Sequence, residues 1–508
     1  MIGHQAHVCY TPDECLDAVN QLTPDAVLMN AAMALGKRKT ERQRELFVPA
    51  DQLPRSPGHV FYRKLNELLA EAGFDVWLED HCLPYYADGA GREGIPPGTY
   101  FRMLLVGYFE GIGSQRGIAW RCSDSLSIRD FLAVPPGKQS PDHSSLSKIR
   151  DRLPLQLHLD VFARILPLAA EKKLLKGKNV AVDSTTLEAD AAMKSIVRRD
   201  NGEDWKQYVT RLMQEEGVVA EEEQPTDEEI RRYDKNRKNK KVSNDEWVSP
   251  TDPDSRIARM KDGTTHLAYK AEHVVDLDTN LILAAEAYHA DQSDQQTLED
   301  SLNQAQINQE AAGSESQIKS VAADKGYHSA ETLATLDQHT PYRTYIPEPT
   351  RRGNRRWTDK TPEQRSAVYA NRRRMKGDRG KRLQRLRSEF VERTFAHVCE
   401  TGGARRTWLH GIEKVRKRYL IAAAAHNLGL MMRVLFKMGT PRGLQAAADI
   451  ASSMYVAILT LCKQILRPEF AFETAPARYL ALCATATRVA ARAENVRNST
   501  GCQGCRRP

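Results

Sequence analysis

LLKGKNVAVDSTTLEA, residues 174–189, is the stretch whose reading decides the fold. Gly177 breaks a helical pattern, and Asn179-Val180-Ala181-Val182-Asp183 then reads as a short buried strand that ends on a carboxylate. A second stretch of the same kind follows downstream. IKSVAADKGYHS (318–329) is a buried strand ending at Asp324. Between them, HLAYKAEHVVD (266–276), a turn at Leu277-Asp278-Thr279-Asn280 and LILAAEAYHA (281–290) read as a hairpin. Residues 294–309 and SAETLATLDQH (329–339) have helical spacing, and residues 342–348 form a further strand. A helix begins near 383 and runs through Glu392, and a long one covers about 412–437. This order predicts an α/β fold with a mixed sheet and helices on its faces.

Upstream the pattern is helical. FYRKLNELLAEAG (61–73) puts Phe61, Leu65, Leu68, Leu69 and Ala72 on one stripe, stopped by Gly73. Helices are expected at about 97–112, 114–122, 125–132 and 143–152, then at 157–175 with a kink at Pro167. AVPPGKQSPDHS (133–144) separates the 125–132 and 143–152 helices, with Ser140 or Asp142 as cap. Two helices about such a turn, the second carrying Lys148, Arg150 and Arg152, resemble a helix-turn-helix DNA reader, although the turn is longer than usual. The divisions expected are an arm at 1–57, an all-α DNA-binding domain at 58–156, a catalytic domain at 157–440 and a helical or partly disordered tail at 441–508. Residues 191–252, acidic then basic, read as a mobile or helical insertion.

The net charge of +8 is unevenly spread. Residues 351–388 hold fifteen Lys and Arg against three acids, so the rest of the chain is slightly acidic. A concentrated basic segment is the footprint of a polyanion, because cations at phosphates release counterions. Within it, Trp357 beside Arg355 and Arg356 is placed to stack on an unpaired base. The nine cysteines make no disulfide framework. Only Cys502 and Cys505 form a CxxC, too little for a zinc site. The N-terminal MIGHQAHVCYTPDE has no apolar core, and the apolar stretch 419–435 is interrupted by His426, Asn427 and Arg433. Neither reads as a signal peptide or a membrane span, so the expectation is a cytoplasmic protein without a membrane partner.

Asp183 and Asp324 both stand where a sheet hands its chain to a loop, the usual ligand position in α/β folds. Two neighbouring carboxylates repel, and a divalent cation between them removes that cost. Two such ions serve phosphodiester cleavage. Glu392, on a helix with Phe390, Val391 and Phe395, is the expected third acid, with Glu389 three residues earlier as the alternative. Lys325 and Tyr327 flank Asp324 and could touch DNA. His289 and Asp291 end the hairpin's second strand near the expected site, whereas His266 and His273 fit no zinc pattern and read as structural.

AVDSTTLEA (181–189), AADKGYHS (322–329) and FVERTF (390–395) resemble, in this order, the three acidic motifs of bacterial insertion-sequence DDE transposases with an InsH-like N-terminal domain. Residues 59–132, DPDSRIARMKDGTTHLAYKAEHVVD (252–276) and GARRTWLHGIEKVRKRYLIAAAAHNL (403–428) extend the likeness. The resemblance implies a ribonuclease H-like core in which Asp183, Asp324 and Glu392 hold Mg²⁺ (or Mn²⁺), two ions in all. It also implies double-stranded DNA substrates, the terminal inverted repeats of an element and a target, and a homodimer in the DNA complex. Many of these enzymes carry a Lys seven residues after the glutamate and an Arg four before it; here Cys399 and Ser388 stand there. Arg387, Arg405, Arg406 or Lys414 would then supply the phosphate-binding charge. Two rival readings are a metal-dependent nuclease without transposition and a DNA-binding regulator with inert carboxylates.

Overall fold

The computed structural model describes residues 59–441, apart from 87–93, 136, 221, 238–242, 261–262 and 351–356. The expected arm at 1–57, the tail at 442–508 with its CxxC, and Arg355 and Arg356 therefore lie outside the described residues.

The first part is all helical: α1 (His59–Glu71), α2 (Phe74–Cys82), α3 (Pro97–Glu110), α4 (Gln115–Asp124), α5 (Leu126–Phe131), α6 (His143–Arg152) and α7 (Leu155–Glu171). The predicted stripe Phe61, Leu65, Leu68 and Leu69 is buried. Gly73 adopts φ 59°, a left-handed conformation, and lets α2 restart at once. Ser114, Ser125 and Asp142 cap α4, α5 and α6 through their side-chain oxygens, each satisfying a backbone N–H at the helix start. Pro167 lies inside α7.

Beyond Gly177 the chain enters a mixed sheet: β1 (Asn179–Glu188), β4 (Arg256–Arg259), β5 (Thr265–Asp276), β6 (Ile282–His289), β7 (Ser320–Ala323) and β8 (Arg343–Tyr345). β5 pairs antiparallel with β1 on one side and with β6 and β4 on the other; β1, β7 and β8 are mutually parallel. The expected hairpin is present, with Asn280 at φ 66° in its turn. The sheet is flanked by α10 (Asp294–Ala311), α11 (Ala330–His339), α12 (Pro362–Lys376), α13 (Asp378–Phe395) and α14 (Ile412–Phe436). Two buried amides fasten helices to the sheet. Asn427 of α14 bonds both the N–H and the C=O of Ile282 (2.9 and 2.8 Å), and Asn371 of α12 does the same to Ile346 (3.1 and 2.7 Å).

Two expectations need correction, and a third takes one of its two alternatives. β1 does not end at Asp183 but continues through Glu188, because its polar Ser-Thr-Thr stretch stays paired to Glu272, Ala271 and Lys270 of β5. The insertion at 191–252 takes the helical alternative among its described residues. It holds α8 (Trp205–Glu215), α9 (Asp227–Asn236) and a two-stranded sheet, β2 (Val197–Arg198) with β3 (Trp247–Val248), and α8 and α9 close over their own core of Val209, Met213 and Ile230. Finally, α14 is long and apolar enough to cross a membrane, contrary to the sequence reading, but most of it is buried against β6 and α7 as a core helix.

Candidate active site

The parallel register of β1 and β7 runs to Val182 opposite Ala323, so the next residues, Asp183 and Asp324, stand side by side. α13 crosses this edge with Leu383, Val391 and Phe395 buried against the core, and that phase points Arg387 at the two carboxylates. Its Nη1 donates to Asp183 Oδ2 at 2.6 Å, and its Nη2 lies 3.8 Å from Asp324 Oδ1. Gln384, one turn earlier, accepts from Arg387 Nε at 3.2 Å and donates to the C=O groups of Ala323 and Tyr345. The other oxygen of Asp183 accepts the Ser184 N–H at 2.8 Å.

A second polar layer lies on the opposite face of the sheet, which α10 covers. Lys270 is buried, paired with Asp294 at 2.8 Å and Glu272 at 3.3 Å, and donates to Thr297. Glu272 also accepts from Thr297 and from Tyr327, both at 2.8 Å, and Ser184 donates to Asp294 at 2.9 Å. Burial, then the Glu272 charge, holds the Tyr327 hydroxyl well above the usual phenol range. A Cβ at Gly326 would sit 2.5 Å from Asp294 Oδ2, so any side chain there makes the Asp294 carboxylate shift. A cleft of about 910 Å³ opens beside this layer, lined by Ser184, Thr185, Arg259, Lys270, Asp294 and Arg405 among others.

The placements of the expected residues differ. Asp183 and Asp324 meet. Glu392 and Glu389 are both exposed on α13; Glu389 pairs with Arg393 at 2.7 Å. The described residues contain no group of three His, Cys, Asp or Glu side chains arranged for a metal, so the expected three-acid cluster is not assembled. The two aspartates nevertheless fit a divalent ion: they are hard oxygen donors side by side, and a guanidinium already bridges them. Arg405 reaches β1, donating to Thr185 Oγ1 at 2.8 Å and the Thr186 C=O at 2.9 Å, and Arg406 is exposed over Trp408. Lys148 and Lys325 are exposed.

Arg150 is not on the surface: only 5% of it is exposed, since it continues the buried stripe of Leu146 and Ile149. Tyr327 is wholly buried, because its hydroxyl is spent on Glu272. Trp357 stacks on Tyr369 with ring centroids 5.4 Å apart and packs against the core. His289 binds the Asp254 C=O and Asp291 pairs with Arg256, at the far side of β5 from Asp183. Much of the basic segment 351–388 is helix, in α12 and the start of α13. Sequence reasoning missed Lys270 and Asp294. The signal for Lys270 was available: Lys270 and Glu272 alternate on one face of a strand, between the apolar residues Ala268 and Val274 of that face.

Two comparisons bear on these residues. The family described as "Transposase domain (DUF772)" matches residues 48–152, and the family described as "Transposase DDE domain" matches residues 178–428. No curated protein and no solved structure matches the chain.

Proposed function

The chain belongs to the insertion-sequence DDE transposases, enzymes that cleave DNA and transfer strands, and on that premise we propose that Asp183, Asp324 and Glu392 are its metal-holding acids in a ribonuclease H-like core. The observation that carries this reading is the pairing of Asp183 with Asp324 across β1 and β7, with one guanidinium shared between them. The sheet supports the fold assignment, since three antiparallel strands (β6, β5, β1) are followed by two parallel ones (β7, β8). A pair of divalent ions, Mg²⁺ or Mn²⁺, supplies activation of water and stabilisation of the leaving oxygen when bound.

The chain's own residues prepare that position. The Ser184 N–H fixes one oxygen of Asp183 and leaves the other toward Asp324. Arg387 holds the like-charged pair together, and Glu392 offers an exposed carboxylate beyond it on the same helix. Arg405, anchored on Thr185 and Thr186, keeps positive charge at the cleft edge where a DNA phosphate would lie. Lys148 and Lys325 present further cations to solvent. In this reading the helical region binds the terminal inverted repeats, the basic α12–α13 segment grips the backbone, and a homodimer pairs two DNA ends.

The test is Mg²⁺-dependent cleavage and joining of element-end DNA by wild type, Asp183→Asn, Asp324→Asn and Glu392→Gln, with DNA binding measured in parallel. Each variant should bind DNA as wild type does and fall to background in cleavage. Cleavage that survives both aspartate substitutions overturns the site. Wild-type cleavage without joining would favour a nuclease.

A further inference from the structure

The helical region and the C-terminal segments enclose a cavity of about 380 Å³ away from the aspartates. Its walls carry Arg116, Arg150, Lys417 and Arg418 together with His143, and no aspartate or glutamate. Lys417 is 3% exposed; it donates to the Arg150 C=O at 3.1 Å and pairs with Glu413, which projects to solvent. Arg150, equally deep, lies against the Gln115 amide and the Tyr100 hydroxyl, both uncharged. Arg418 donates only to the C=O groups of Gly403 (2.7 Å) and Arg406 (3.1 Å). Neither guanidinium has a carboxylate partner among the described residues. Burial, and then the nearby Arg150 charge, pulls Arg418 down to about 10.

Buried charges are ordinarily paired, because an isolated one forfeits its hydration. Two guanidiniums facing one cavity without a carboxylate, beside an ammonium that Glu413 already pairs, are therefore short of an anion. The remaining walls are apolar and aromatic, including Tyr108, Ile112 and Leu409. Trp408, half exposed, converges with Arg418 at Gly113, where a Cβ would lie 3.4 Å from the indole nitrogen and 3.5 Å from Nη2. A pocket lined by cations and aromatics, of about this volume, suits one phosphate on a small, flat organic group.

We infer that this cavity is a phosphate-binding site for a nucleotide, with Arg150, Lys417 and Arg418 on the phosphate and the aromatic walls on the base. The phosphate could be carried by a DNA strand end or by a free nucleotide; the chemistry recognised is the same. The inference does not depend on the catalytic assignment, since it is read from binding and stability and not from cleavage.

The experiment measures the melting temperature of the full chain in inorganic phosphate and in deoxyadenosine monophosphate, against sodium chloride of equal ionic strength. Affinity for a short single strand with and without a 5′ phosphate is measured alongside. Wild type should be stabilised in a saturable way by at least one phosphate ligand. Arg150→Gln and Arg418→Gln should each weaken that midpoint about tenfold or more, while Arg232→Gln, exposed on α9, should leave it unchanged. Preference for the phosphorylated strand that is lost in Arg150→Gln assigns the phosphate to DNA; a response to the free compounds alone assigns it to a nucleotide. Arg418, at the mouth, provides the second variant should Arg150→Gln fold poorly. No stabilisation beyond the chloride control, or an undiminished response in the variants that fold, overturns the inference.

Discussion

Replacing Arg387 by alanine separates what the two aspartates cost from what the fold supplies to hold them. The guanidinium is 2.6 Å from Asp183 and 3.8 Å from Asp324, and its side chain is 12% exposed. At an effective dielectric of about 20, opposite unit charges ~4 Å apart attract by about 4 kcal/mol before desolvation is subtracted. Asp324 is 47% exposed, so its share is largely screened. Asp183, at 22%, is not. Breaking a fully buried pair costs about 3–5 kcal/mol and an exposed one about 0–1, so this half-buried pair should cost about 2 kcal/mol. Without added metal, Arg387→Ala should therefore unfold in urea with ΔG lower by about that amount. Mg²⁺ should restore more stability to the variant than to wild type, because in wild type the ion competes with the guanidinium for the same Asp183 oxygen. A 2 kcal/mol difference corresponds to about a thirtyfold lower Mg²⁺ midpoint. Urea denaturation in EDTA and across a Mg²⁺ series reads both quantities. Equal stability in EDTA together with an unchanged Mg²⁺ midpoint would refute the shared-cation account of the site.

Three further outcomes are expected. Gly326→Ala should reduce cleavage and stability together, by about 1–3 kcal/mol in the latter, since the new Cβ displaces Asp294 from Ser184 and Lys270; wild-type urea curves would contradict this. His158 is buried, with burial as the main cause and Lys417 and Arg150 adding to it, so that its pKa falls to about 4. The unfolded chain then binds more protons between pH ~6.5 and about 4, so stability should drop as pH falls through that window by up to about 1.4 kcal/mol per unit, a slope that His158→Gln should flatten. Glu392→Gln should abolish cleavage whereas Glu389→Gln, which breaks only the exposed pair with Arg393, should leave it near wild type; the reverse pattern moves the third acid to Glu389.

How much of this was legible in the sequence depends on whether local pattern or distant pairing decides the conformation. The runs around Val180 and Val321 announce strands because both sheet faces are covered, and the 277–280 turn follows from its own residues. The full length of β1 does not, because Ser184 to Thr186 have no apolar strand pattern and pair with no strand but β5. The burial of Arg150 was legible. Leu146, Ile149, Arg150 and Leu153 recur at helical spacing, and all four are buried, so periodicity placed the arginine inward while its charge suggested DNA. The same contrast governs Tyr327, whose neighbours Lys325 and Gly326 are exposed while its ring turns back under the sheet to Glu272.

Helical phase also explains why the third acid stands apart from the other two. α13 presents Leu383, Arg387, Val391 and Thr394 to the sheet, a stripe of three- and four-residue steps. Glu392 is five residues beyond Arg387, about 140° around the helix, so one rigid helix cannot aim both at Asp183. Arg387 and Glu392 are thus alternatives for the same carboxylate neighbourhood unless the helix rolls or the long glutamate side chain reaches around its flank. Residues Ala396–Thr401, immediately after Phe395, form a π-helical turn, a geometry found mostly as single-turn bulges and frequently at functional sites. Arg387→Ala, by removing the competitor for the Asp183 oxygen, should therefore raise metal affinity, and the Mg²⁺ midpoint of the urea series measures it.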